Sequence, residues 1–173
     1  SADHTLKIAQ ALYETHQVAT YPRTDCTFLP DEHRKNIAAI MGNLLALNEF
    51  SYLKSGLAKP IERKTVYDDK KITAHHAIVP TSKAADLSRL NADERRLYLL
   101  IARHYLAAHM ADHEYDATTM SFDANGVLFL RRGTQPTFAG WKDSFDAPGS
   151  EDSADSDEED GKDGEDENEN ATL

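Results

Sequence analysis

From Ala147 to Leu173 the chain offers almost nothing to bury, since Glu, Asp, Ser, Gly and Asn make up nearly the whole stretch. A segment of that composition cannot offset the conformational entropy lost on ordering. It is expected to be a disordered acidic tail, and any fold must be built from the residues before it. The stretch Gly149 to Leu173 holds 12 acidic residues and a single base, Lys162. The full sequence has 30 acidic and 19 basic residues and a formal net charge of −11, so removing this stretch leaves 18 of each in Ser1 to Pro148. The part able to fold is therefore neutral overall and can still carry a local basic groove. Net charge does not exclude a nucleic-acid partner.

The 173 residues, 40% of them hydrophobic, suffice for one domain with a proper core and a small appendage. Cys26 is the only cysteine, which excludes an internal disulfide, and there is neither a secretory apolar segment nor a run able to span a bilayer. A soluble protein of a reducing compartment, with no membrane partner, is expected. The start without methionine reads as the beginning of a piece cut from a longer protein.

Asp3 to Val18 places Leu6, Ala9, Leu12 and Tyr13 on one helical face, with Asp3 positioned to cap it. Ala19 to Leu29 breaks that rhythm. Pro22 fixes its own φ and pushes Tyr21 toward extended backbone, so Tyr21-Pro22-Arg23 belongs on a loop or short strand. A second helix is expected from Pro30 and Asp31 to about Leu47, burying Ile37, Ile40, Met41, Leu44 and Leu45, with Phe50, Tyr52 and Leu53 extending the core. Lys54 to Lys71, interrupted by Gly56 and Pro60, reads as a mobile connection. Asn91 with Glu94 has the form of a capping box, and Leu97, Leu100, Ile101 and Tyr105 continue a stripe toward Met110. Tyr115 to Phe122 alternates as a strand does, and Asn125-Gly126 before Val127 to Leu130 signals a tight hairpin.

Two constellations carry chemistry. Tyr21 and Arg23 are two apart on extended chain, which sends both side chains to the same side. A phenol attacking a phosphodiester needs charge stabilised on the non-bridging oxygens, and a guanidinium is a permanently charged planar fork suited to that task. Phenols, with a reference pKa of about 10, leave more readily than alkyl alcohols, so a phosphotyrosyl bond can be resealed without ATP. The second constellation is Thr73-Ala74-His75-His76-Ala77-Ile78-Val79-Pro80-Thr81. An imidazole can hydrogen-bond phosphate or stack on a base. Adjacent residues do not easily share one target, so one histidine is expected to face DNA or Tyr21 while the other supports packing.

Taken together, Ala11-Leu12-Tyr13-Glu14, Ala19-Thr20-Tyr21-Pro22-Arg23-Thr24-Asp25 and, about fifty residues later, Ala74 to Thr81 resemble the catalytic region of type IA DNA topoisomerases in order and interval. Pro22 after the tyrosine and the double histidine resemble the bacterial topoisomerase III branch, and Phe138-Ala139-Gly140-Trp141 resembles the point where that family's chain returns to its arch domain. The resemblance spans Leu6 to about Trp141. It implies that Tyr21 forms a 5′-phosphotyrosyl link, that Arg23 steadies the scissile phosphate, and that His75 contacts DNA. His76, Thr24 and Asp25 join the expected DNA-binding set, Thr24 and Asp25 chiefly by shaping the loop.

The resemblance further implies an α+β chain: residues 1–111 as a mostly helical, winged-helix-like catalytic domain (domain III of the family), 112–146 as an antiparallel β segment of the arch (domain II), and 147–173 as the tail. DNA, preferentially single-stranded, and the remaining domains of the parent are the implied partners, in the bacterial cytoplasm at the nucleoid. Mg2+ is implied for the full-length enzyme, bound by an acidic Toprim domain that this sequence lacks, and no metal or other cofactor is expected in this piece. Thr24 stands where topoisomerase III commonly has serine, and the acidic tail stands where the family continues its arch.

Two other readings remain. His109 and His113 at i, i+4 could share a metal on a helical face, without a Cys pair or a convincing third ligand. The chain could also be a non-catalytic helical module that binds DNA or a basic partner, with the tail mimicking DNA or serving as a solvated spacer.

Overall fold

A computed structural model describes residues 1–146; the expected disorder of the tail falls outside the described residues. Helix α1 spans Ala2–Glu14, and its cap is Ser1, whose hydroxyl accepts from the His4 amide at 3.4 Å. Asp3 lies in the first turn rather than capping it. The helix also stops short of the expected Val18. Gln17 takes a left-handed φ of 58° and turns the chain aside, so Val18 reaches the core from extended backbone. Its apolar character continued the helical pattern without continuing the helix.

Asp31–Asn36 forms a 3-10 segment that leads into α2, Ile37–Ala46, which buries Ile37, Ile40, Met41 and Leu44. A second 3-10 segment, Asn48–Leu53, drives Phe50 and Leu53 into the same core. The expected mobile connection is a correction: Leu57 and Tyr67 are buried. Its end is stitched to Leu29, whose amide donates to the Val66 carbonyl at 2.8 Å while the Asp68 amide donates back to Leu29 at 3.1 Å. Buried apolar side chains among the polar ones tie a stretch whose composition suggested a linker.

Helix α3, Ala92–Ala108, begins with the full capping box, the Asn91 side chain accepting from the Asp93 and Glu94 amides and Glu94 reaching back to the Asn91 amide. It buries Tyr98, Ala102, Tyr105 and Leu106, and rests on α1. Leu100, expected on the buried stripe, is 47% exposed, because the face set by Tyr98, Ala102 and Tyr105 turns it outward.

Strands β1 (Glu114–Ala124) and β2 (Val127–Phe138) pair antiparallel around Asn125-Gly126, both left-handed as a two-residue hairpin turn requires. The ribbon is longer than expected, and every residue along it is exposed. The coarse α+β class is thus met by three α-helices, short 3-10 segments and one two-stranded sheet among the described residues. After the ribbon, Gly140 at φ 58° brings the chain back against the end of α3. A Cβ there would lie 2.3 Å from the Asp112 carbonyl oxygen, and the Trp141 amide donates to Ala111 at 2.9 Å.

Candidate active site

Two extended segments lying side by side carry the candidate residues. The Thr20 amide donates to Val79 and the Thr81 amide to Val18, each at 3.0 Å, and the Ala77 amide donates to Phe28 at 2.9 Å. Thr20 adds a hydroxyl that donates to the Ala77 carbonyl at 3.2 Å and accepts from the Val79 amide at 2.9 Å. Buried Val18, Ala19, Leu29 and Val79 anchor the pair to the core. Both motifs, remote in sequence, are thereby fixed to one platform.

From Arg23 to Phe28 exposure alternates, with Arg23, Asp25 and Thr27 outward and Thr24, Cys26 and Phe28 turned in. Alternation of this kind is what extended backbone imposes. Tyr21 is half-buried between two rings: Tyr13 of α1 meets it edge-to-face at 5.5 Å and 83°, and His75 lies against it at 4.4 Å with a 40° tilt. Thr24 joins the segments beside it, donating from its hydroxyl to the His75 carbonyl at 3.2 Å and accepting from the Cys26 amide at 3.0 Å. Arg23 and Asp25 make no hydrogen bond or ion pair among the described residues, so Arg23 presents an unneutralised charge to solvent. Alongside, a cleft of about 430 Å³ opens between Thr24, Cys26, Val66, Ile78 and His104.

Among the described residues His76 makes no ring contact with Tyr21. Its Nδ1 is 2.8 Å from the Ala77 carbonyl, and its ring lies 6.2 Å from that of buried His33. Behind it runs a line of rings. The Tyr105 hydroxyl is 3.4 Å from His33 Nε2, and the Tyr105 ring lies against His109 at 4.6 Å. His109 Nδ1 is 2.8 Å from the Tyr105 carbonyl, which can only accept, so that nitrogen carries the proton. In the neutral ring Nε2 then accepts from the Tyr67 hydroxyl at 2.7 Å. Burial holds His33 down to about 4, helped by the nearby His76 and His109 charges, and burial likewise lowers His109. Burial also pushes Tyr67 up to about 12, against the pull of Arg34, whose guanidinium sits 4.2 Å over the ring. With both ring nitrogens of His109 engaged, α3 ended at Ala108 and His113 Nδ1 3.1 Å from Ala139 O, the i, i+4 metal face is not formed.

Comparison with known proteins decides the family. The family model described as DNA topoisomerase matches residues 1–171. The chain belongs to the DNA topoisomerase family. It is 36% identical over 142 residues to DNA topoisomerase 3 of Salmonella typhimurium, covering 82% of this chain and 22% of that protein. It is 38% identical to the Pasteurella multocida DNA topoisomerase 3, over 88% of this chain and 23% of that protein, and 34% identical to the one from Bacillus subtilis, over 88% and 21%. The resemblance of the chain to bacterial topoisomerase III is upheld. This topoisomerase chain spans about a fifth of the length of the curated relatives it matches.

Of the expected site residues, Tyr21 and His75 are brought into ring contact, Thr24 bonds the two segments together, and Arg23 and Asp25 share an outward face. His76 is turned to the interior side. Sequence reasoning missed the proximity of Tyr13 to Tyr21 and of His33 to His76. It also missed Lys83, whose Nζ donates to the His16 carbonyl at 2.9 Å and fastens the turn before Tyr21. The sequence places Tyr13 on the apolar face of α1 and within the Ala11-Leu12-Tyr13-Glu14 motif, but it is 39% exposed and nothing local set it against Tyr21; nothing in the sequence marked His33 or Lys83.

Proposed function

We propose that this chain is the nucleophile-bearing part of a type IA topoisomerase that cleaves and reseals one DNA strand through Tyr21. The phenolic oxygen attacks the phosphodiester phosphorus, the bond to the 3′ oxygen breaks, and a 5′-phosphotyrosyl ester forms; the proton lost by the phenol appears overall on the released 3′ hydroxyl. Resealing runs the same exchange backwards, with no net change in high-energy bonds. Arg23 holds the non-bridging oxygens with paired donors, and His75 contacts the strand from the far side of the Tyr21 ring. Thr24 and Asp25 shape and border the path, and His76 supports it from behind. Single-stranded DNA is the cleavage substrate, because rings and an exposed cation suit a flexible backbone with unstacked bases. In the parent, passage of another strand through the break changes DNA topology, by relaxation or decatenation.

The observation that carries this reading is the half-buried Tyr21 ring, in contact with both Tyr13 and His75 and two residues before the exposed, unpaired Arg23. The helical unit corresponds in this reading to the winged-helix-like domain of the family and the β1/β2 ribbon to its arch. Among the described residues no three His, Cys, Asp or Glu side chains gather as metal ligands. These residues do not fit a Mg2+ site, so Mg2+ belongs in this reading to the rest of the parent and no step here runs through it. The test is to trap the full-length parent on a single-stranded oligonucleotide under denaturing conditions, digest it, and locate the nucleotide adduct by mass spectrometry. An adduct on the Tyr21 peptide is expected; an adduct on any other peptide overturns the assignment.

A further inference from the structure

Helix α1 buries Ala9 and Leu12, yet Tyr13 beside them is 39% exposed and its hydroxyl has no hydrogen-bond partner among the described residues. The core does not require this aromatic ring. Among the described residues its one ring contact is the edge-to-face meeting with Tyr21 at 5.5 Å, and the residue stays 39% exposed. His75 lies against the Tyr21 ring at 4.4 Å, and of the two ring neighbours only Tyr13 stands on a helix, α1. A phosphate esterified at the Tyr21 hydroxyl would have its flanking nucleotides within reach of a ring this near. An exposed aromatic ring 5.5 Å from the Tyr21 ring, with an unpaired guanidinium two residues along the chain from that tyrosine, has the composition of a base-stacking step in a single-strand path.

Resting on the assignment of Tyr21 above, we propose that Tyr13 forms a nucleobase subsite, stacking the base of a nucleotide that flanks the phosphate Tyr21 attacks. Every base has a π face, so the subsite favours unstacked single strands without selecting a sequence. Duplex DNA, whose bases are already stacked, cannot use it. Tyr13 is a binding residue here, and its hydroxyl is dispensable.

The test uses the full-length parent with Tyr21→Phe, so that binding is read without cleavage, and oligonucleotides bearing 2-aminopurine at each nucleotide flanking the cleavage position mapped with the unaltered enzyme. Binding should quench the probe at one of these positions. Tyr13→Leu should abolish that quench and weaken binding about tenfold, the size typical of one lost stack, while Tyr13→Phe retains both. Removing the base at that nucleotide should erase the difference in affinity between the protein that keeps Tyr13 and its Tyr13→Leu variant. Quenching that survives Tyr13→Leu, or an equal loss on the abasic strand, overturns the subsite. Unchanged melting temperature of Tyr13→Leu excludes misfolding as the cause; if it does not fold, Tyr13→His, which keeps a flat ring, must retain the quench or the proposal fails. Adduct mapping with Tyr13 and Tyr21 intact judges the nucleophile separately.

Discussion

His33 shows how the second motif is supported and what that support costs in acid. Its folded value of about 4 lies below the ordinary 6.5, so between those values the unfolded chain binds the extra proton and stability falls as pH falls. The stability is fully present above about pH 6.5 and gone below about 4, and with partial solvent screening it amounts to about 1–2 kcal/mol. The lowered His109 adds in the same direction. Thermal melts from pH 7 to 4 should show the loss, and His33→Asn, which cannot titrate there, should flatten the slope; an unchanged slope would remove His33 as its source. Thr24 makes a second prediction at this scale. Thr24→Val removes the hydroxyl that joins the His75 carbonyl and the Cys26 amide, and should cost about 1–2 kcal/mol in denaturant unfolding.

Among the elements, the return of the chain at Gly140 is the most constrained. With φ 58° and a backbone oxygen 2.3 Å from where a Cβ would sit, Gly140→Ala must shift the Asp112 segment, and a loss of at least about 2 kcal/mol is expected in unfolding measurements. A neutral result would mean that the loop relocates freely. The elements also show what could be read beforehand. The capping box at Asn91, the turn at Asn125-Gly126 and the apolar run Ile37 to Leu44 were legible because each rests on local chemistry at fixed spacing. The end of α1 was not, since Val18 stays buried after the helix has turned off at Gln17. Nor was the anchoring of Tyr67, which depends on pairing with Leu29, distant in sequence. At the site, Tyr21, Arg23 and the histidine pair stood out by motif, whereas the placement of Tyr13 and His33 comes from packing between segments that no local pattern couples.

For the whole molecule, the chain covers about a fifth of its relatives, and its described residues gather no metal ligands. Purified alone, it should not relax supercoiled DNA at any Mg2+ concentration; relaxation would show that strand passage needs far less than the parent. The acidic stretch Gly149 to Leu173, with 12 acids to one lysine, should repel DNA through a screened field, so its removal should leave binding unchanged or stronger at low salt. The central claim is that Tyr21 supplies the bond-forming oxygen and Arg23 steadies the phosphate. Its most direct measurement is a denaturing-gel time course of covalent product on a labelled single strand, with unaltered, Tyr21→Phe and Arg23→Ala full-length parents. Tyr21→Phe should give no covalent band at any pH, and Arg23→Ala should slow its appearance about 10²–10³-fold with a smaller loss of affinity, partly restored by Lys. A covalent band from Tyr21→Phe, or full-rate cleavage by Arg23→Ala, would contradict the account.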